Sequence, residues 1–185
     1  MPVGEPVGPG GRRQKVLPAI GVILLALALN LLVIGLPRQW FEGWGNYGYL
    51  GVFVVALLAN ASVFVPIPYP GLIARLATEL NVLGVALLGA AGSAVGETTG
   101  FLVGRAGKRA IHQTRFYRWL QRQLRTPWRA FAVLFLLSAP PNPFFDVAGL
   151  TAGSLGVPFP IFAAATFTGR IVRMLILASL GRAYL

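Results

Sequence analysis

Four ionisable residues stand in stretches that otherwise offer almost nothing polar. Glu97 is the only charge in LLGAAGSAVGETTGFLVG, residues 87–104. Asp146 follows a run of prolines in PPNPFFDVAGLTAGSLG. Arg170 and Arg173 lie in PFPIFAAATFTGRIVRMLILASLG. Their types suggest a definite chemistry. A carboxylate held away from water can take up and release a proton. Two guanidinium forks suit a phosphate, and at i,i+3 they share one helix face. Asn142, among the prolines, adds a polar group beside them. Together these residues could carry an anionic headgroup with a proton, with Arg170, Arg173 and Asn142 binding it and Glu97 and Asp146 gating or coupling. The rival reading is that two acids and two arginines form buried ion pairs that lock helices together.

The medium decides how unusual these charges are. The chain has 185 residues, 56% of them hydrophobic and only 11% charged. A soluble domain carries roughly a quarter charged residues. The polar residues here cannot cover a water-facing surface, so the composition predicts an all-α integral membrane protein. A charge at the centre of a spanning helix then costs about 2.5–3.5 kcal/mol on insertion scales, and such residues by default mark a pathway or a site. Sixteen Lys and Arg against five Asp and Glu leave a net charge of +11. In a membrane protein that excess marks cytoplasmic loops rather than nucleic-acid binding. There is no cysteine, and His112 is the single histidine. Neither a metal centre nor a nucleophile–base pair is suggested, so no enzyme activity and no cofactor are expected.

The elements that must position the charges follow from the apolar runs. Residues 1–16, rich in Pro and Gly, read as a disordered cytoplasmic tail. Residues 17–36 are long enough to span, at about 30 Å of helix. Trp40, Phe41, Trp44, Tyr47 and Tyr49 then fit an interfacial belt. Residues 48–104 hold an apolar run, a break at Pro66, Pro68 and Pro70, a short helix predicted in GLIARLATEL, and a spanning segment. Residues 105–129 carry eight cations and no acid, so the positive-inside rule places this arm in the cytoplasm. Phe116, Leu120 and Leu124 recur every four residues there, as on an amphipathic helix able to lie on the membrane surface. Residues 130–185 repeat the plan, with a break at Pro140, Pro141 and Pro143.

Parity constrains the path. With the N-terminus inside, an odd number of crossings must separate residue 36 from the cytoplasmic arm, yet two apolar segments lie between. A re-entrant hairpin turning at the first prolines removes the conflict, and the second half would dip in from the other side. An offset of 73 aligns Pro68 with Pro141, Pro70 with Pro143, Gly96 with Gly169 and Glu97 with Arg170. The reading is an inverted repeat of two hairpins with proline hinges. The small residues around Glu97 are expected to let helices pack closely.

GETTGFLVGRAGKR, the basic arm, and PPNPFFDVAGLTAGSLGVPFPIFAAATFTGRIVRMLILASLG resemble the DedA superfamily, also called VTT-domain or SNARE-associated proteins. The likeness runs from about Gly48 to Gly181. It implies two re-entrant hairpins of opposite orientation and movement of lipid across a membrane by flipping or scrambling, with polyprenyl phosphate one candidate. Glu97 sits where many members carry an acid, and Arg170 and Arg173 match the basic pair of the last helix. At the spacing of the family's R-x-x-P-x-x-R motif this chain has Ser138, Pro141 and Phe144, and Leu72 stands where an acid often follows the first break. The expectation is a multi-pass transporter of the cell membrane with membrane lipids as partners, the proton as coupling ion and room for a homo-oligomer. A proton-coupled solute or ion carrier and a non-transporting membrane organiser are the alternatives.

Overall fold

Small residues decide where the helices of this chain meet. The computed structural model describes residues 21, 24–41, 43–61, 67–107, 115–140 and 144–185, and the elements among them are helices. They are α1 (Leu24–Ile34), α2 (Gly45–Ala61), α3 (Tyr69–Leu76), α4 (Val82–Ala106), α5 (Arg115–Gln123), α6 (Pro127–Ser138), α7 (Phe144–Ser154) and α8 (Phe159–Tyr184). Pro66, Pro141, Asn142, Pro143 and the tail at 1–16 lie outside the described residues.

Among the described residues two helices, α4 with 25 residues and α8 with 26, are long and apolar enough to cross a membrane. At 1.5 Å per residue each is about 38 Å long. α4 starts on Asn81, whose side-chain oxygen accepts from the N–H groups of Leu83 (2.9 Å) and Gly84 (3.2 Å), satisfying two of the four orphan donors of a helix start. α3, α6 and α8 each carry proline in the first turn, where its missing N–H costs nothing. Thus Pro68 caps α3, Pro70 opens it, and Pro140 follows the end of α6. GLIARLATEL is only partly helical: α3 stops at Leu76, leaving Glu79, which the predicted helix included, exposed and outside α3.

The contacts give the helix directions. Tyr49 touches Gly84, Phe53 touches Gly92, Leu57 touches Gly96, and the Thr99 hydroxyl donates to the Ala61 carbonyl at 3.4 Å. Numbers rise together, so α2 runs parallel to α4. Between them the chain comes back to where α2 began: Asn81 N–H donates to the Tyr49 hydroxyl at 3.1 Å. α6 and α8 repeat this. Residues 155–158 line a cavity with Pro127 and Ala130, while Ser138 meets Gly169. Across the halves the order reverses. Gly89 faces Met174, Glu97 meets Arg170, and Phe101 stacks on Phe162 with ring centroids 4.6 Å apart. α4 and α8 are therefore antiparallel.

The short helices cross over. α3 lies against α8 and α7 against α4. Gly181 presses on the backbone of Ala74, and Gly104 on that of Leu150. A side chain at either glycine would collide with a carbonyl, as one at Gly92 or Gly96 would with α2. Close backbone approach is the use membrane helices make of small residues. Val82 and Phe159, the first residues of α4 and α8, are 77 positions apart, and so are Ala61 and Ser138, the last of α2 and α6. The helix ends thus repeat at a longer spacing than the 73 that aligns prolines, because the prolines fall at different places in two connections of equal length, residues 62–81 and 139–158.

The basic arm differs from expectation. Leu120 and Leu124 are buried in a cluster with Phe101, Phe145 and Phe162, and Phe116 packs there too. α5 turns its apolar face to the protein, so that face is not open to a membrane. Amphipathic spacing says that a face is covered and not by what. Of the predicted aromatic belt, Trp40, Trp44 and Tyr47 face outward, whereas Phe41 is buried.

Candidate functional site

Two apolar clusters fill the protein. One gathers Val52, Ile73, Leu76, Val85, Met174 and their neighbours, and the other gathers Phe101, Leu134, Phe145 and Phe162 with theirs. The charges sit at the seam. On α4, Glu97 lies between Ala90 of the first cluster and Phe101 of the second. On α8, Arg170 lies between Ala165 and Met174 in the same way. At 1.5 Å per residue, both are more than about 12 Å from either end of their helices.

Glu97 and Arg170 are 4% and 2% exposed, so neither reaches bulk water from this position. They pair directly, Arg170 Nη2 donating to Glu97 Oε1. Asp146 and Arg173 are partly buried and complete the electrostatic neighbourhood of Glu97. Asp146 in turn feels both arginines. The four residues singled out from the sequence therefore converge, from α4, α7 and α8. The remaining predicted polar ligand, Asn142, lies outside the described residues.

Each arginine rests on an aromatic ring supplied by a short helix. The Arg170 guanidinium carbon is 5.0 Å from the ring centre of Phe145 on α7. That of Arg173 is 5.6 Å from the ring of Tyr69 on α3. A ring face attracts a cation and leaves its N–H edge free, a contact worth about 2 kcal/mol or more when desolvated. The ring faces come from opposite halves of the chain, yet serve two residues one helical turn apart.

What those N–H edges meet is the distinguishing feature. Arg170 Nε and Nη1, Arg173 Nε and the Thr166 hydroxyl are buried without a hydrogen-bond partner among the described residues. Thr166, Arg170 and Arg173 are spaced i, i+4 and i+7, so they form one polar row along α8. A buried polar group left unpaired costs about 1–3 kcal/mol, more when charged. Four such atoms in one row describe a cradle of donors with one acid, Glu97, already seated on it. The row can hold a second acceptor group of an anion.

Sequence reasoning missed Thr166, Tyr69 and Phe145. Nothing in their types separates them from ordinary residues of apolar helices, and only the i, i+4, i+7 spacing to the arginines pointed to Thr166. Arg75, in the segment GLIARLATEL, is 6% exposed. It donates to the Leu36 carbonyl at 2.9 Å beyond the end of α1 and lies 5.8 Å from the centre of the Phe41 ring. It belongs to the seat of α1 rather than to the charged row.

The family profile described as the VTT domain matches residues 47–183. Vacuole membrane protein KMS1 of Arabidopsis thaliana is 36% identical over 67 residues, which are 36% of this chain and 16% of that protein. The chain thus spans well under two thirds of that relative. No solved structure matches it.

Proposed function

The chain belongs to the VTT-domain family of membrane proteins, the DedA superfamily, and on that premise we propose that it moves an anionic lipid between the two leaflets of a cell membrane. The observation that carries this reading is the row of buried donors on α8 that have no partner among the described residues. A phosphate offers several acceptor oxygens, and arginine forks bind it through paired charge-assisted hydrogen bonds. Arg170, Arg173 and Thr166 bind the headgroup, with Asn142 a further ligand from the second proline break. Glu97 and Asp146 are the acids that an incoming anion displaces, and each can leave the arginines by accepting a proton.

The parallel course of α2 with α4 and of α6 with α8 supports reading each half as a re-entrant hairpin followed by a spanning helix. The antiparallel α4 and α8 support opposite orientations for the two, as in transporters built from inverted repeats. The prolines at 66, 68 and 70 and at 140, 141 and 143 are the hinges. The arm 105–129 faces the cytoplasm, and so does the N-terminus.

The test is transbilayer movement of a fluorescent anionic phospholipid in proteoliposomes. Wild type accelerates it, and Arg173→Ala slows it by about tenfold or more, the loss of one charge-assisted contact of ~1.5–3 kcal/mol. Equal movement by wild type and Arg173→Ala contradicts the headgroup assignment. No movement by either contradicts lipid transport.

A further inference from the structure

One face of α5 is bound to the protein and the other is bare. Leu120 and Leu124 are buried, and the Phe116 ring lies 5.5 Å from that of Phe144 at the start of α7. On the bare side Arg115, Arg118 and Arg122 are exposed and, with Gln121, line a cleft of about 610 Å³. A second cavity of about 320 Å³ shares Gln121 and adds Arg125 beside Pro127 and the 155–158 turn. Among the described residues none of these arginines forms an ion pair, and no acid occurs anywhere from Arg105 to Arg129. At i, i+3 and i+7 the three cations repel one another along one stretch of helix. An anion in the cleft turns that repulsion into attraction.

The neighbouring surface says where the anion comes from. Trp119, in the same helix, and Trp128, at the start of α6, are 39% and 75% exposed. Tryptophan favours the headgroup level of a bilayer. Beyond Trp128, Leu136 is 65% exposed, continuing an outward apolar surface along α6 on which acyl chains can lie. Arginine clusters beside such a surface attract anionic lipid. We propose that α5 carries a binding site for the phosphate of an anionic phospholipid headgroup, held by Arg115, Arg118 and Arg122 with Gln121. The site is distinct from the buried row on α8 and does not depend on the transport reading. Through Phe116 and Leu120 it is packed onto the helix that carries Phe145 and Asp146.

The test uses the full chain in a neutral detergent, with tryptophan fluorescence as the readout, since Trp119 stands among the arginines. Short-chain phosphatidylglycerol, short-chain phosphatidylcholine and inorganic phosphate are titrated separately. Saturable binding of phosphatidylglycerol is expected, with neither of the others matching it at equal concentration. Arg118→Gln/Arg122→Gln is expected to weaken it about tenfold or more. Arg129→Gln/Arg182→Gln removes the same charge outside the cleft and is expected to leave it unchanged. Arg118→Lys/Arg122→Lys keeps the charge and recovers part of the loss, which separates binding from a folding defect. Equal weakening in the two glutamine doubles means attraction to net charge alone, and overturns the site. Inorganic phosphate binding as tightly as the lipid overturns the lipid as its occupant.

Discussion

At the residue scale the site is defined by which groups are paired and which are not. Glu97 neutralises Arg170 inside the protein, so Glu97→Gln leaves a buried cation without its acid. We expect that change to destabilise the fold by about 3–5 kcal/mol, whereas Glu97→Gln/Arg170→Met, which removes both charges, is near neutral. Denaturant unfolding of the solubilised protein checks this, and equal losses in the single and double variants would show that the pair is not what the site holds buried. Glycines give a second contrast. Gly104→Ala drives a methyl into the Leu150 backbone and is expected to cost about 1–3 kcal/mol. At Gly100 a Cβ meets nothing within 4 Å among the described residues. Gly100→Ala is therefore expected to be neutral, or to stabilise by up to about 1 kcal/mol through helix propensity. Thermal unfolding of the two variants ranks them, and the reverse order would refute the packing described for α4 and α7.

At the element scale the short helices are the working parts. α3 and α7 each carry an aromatic ring to α8, and each is wedged against a glycine of the opposite half's long helix. The arm α5 belongs to this group, since Leu120 ties it to α7. Leu120→Ala empties a fully buried site at an expected cost of ~2–5 kcal/mol. Amide exchange across 115–123 should accelerate more than across α8, and uniform acceleration would mean that α5 is not a separately docked element. Much of this level was legible in advance. The proline runs marked both breaks because proline cannot continue a helix, and the intramembrane charges stood out because their surroundings were apolar. What covers α5 was not legible, since lipid and protein select the same amphipathic spacing. Tyr69 and Phe145 were hidden for a similar reason, as an aromatic supporting an arginine looks like any core aromatic until the two helices are brought together. The repeat spacing of 73 followed the prolines, whereas the helix ends follow 77.

At the scale of the whole molecule, two antiparallel long helices share one charged seam, and in the topology proposed above each half folds back on itself before crossing. The proposed topology makes a prediction about sides. Glu79 precedes α4 and Arg118 follows it, both exposed, and in that topology a single crossing by α4 separates them. The chain has no cysteine, which permits single-cysteine labelling without a prior substitution. Glu79→Cys should react with an impermeant maleimide only from outside intact cells, and Arg118→Cys only after the cytoplasmic face is opened. Labelling of both from one side would refute the crossing. The central claim is that the buried charges are there to move an anionic lipid, and not only to hold helices together. Its most direct measurement is transbilayer movement of a fluorescent anionic phospholipid in vesicles holding equal amounts of wild type or Glu97→Gln/Arg170→Met. The double variant is expected to fold and reconstitute as well as wild type and to move no lipid above the protein-free rate. Lipid movement undiminished in the double variant would show that the pair is a structural tie and that transport, if it occurs here, does not pass through it.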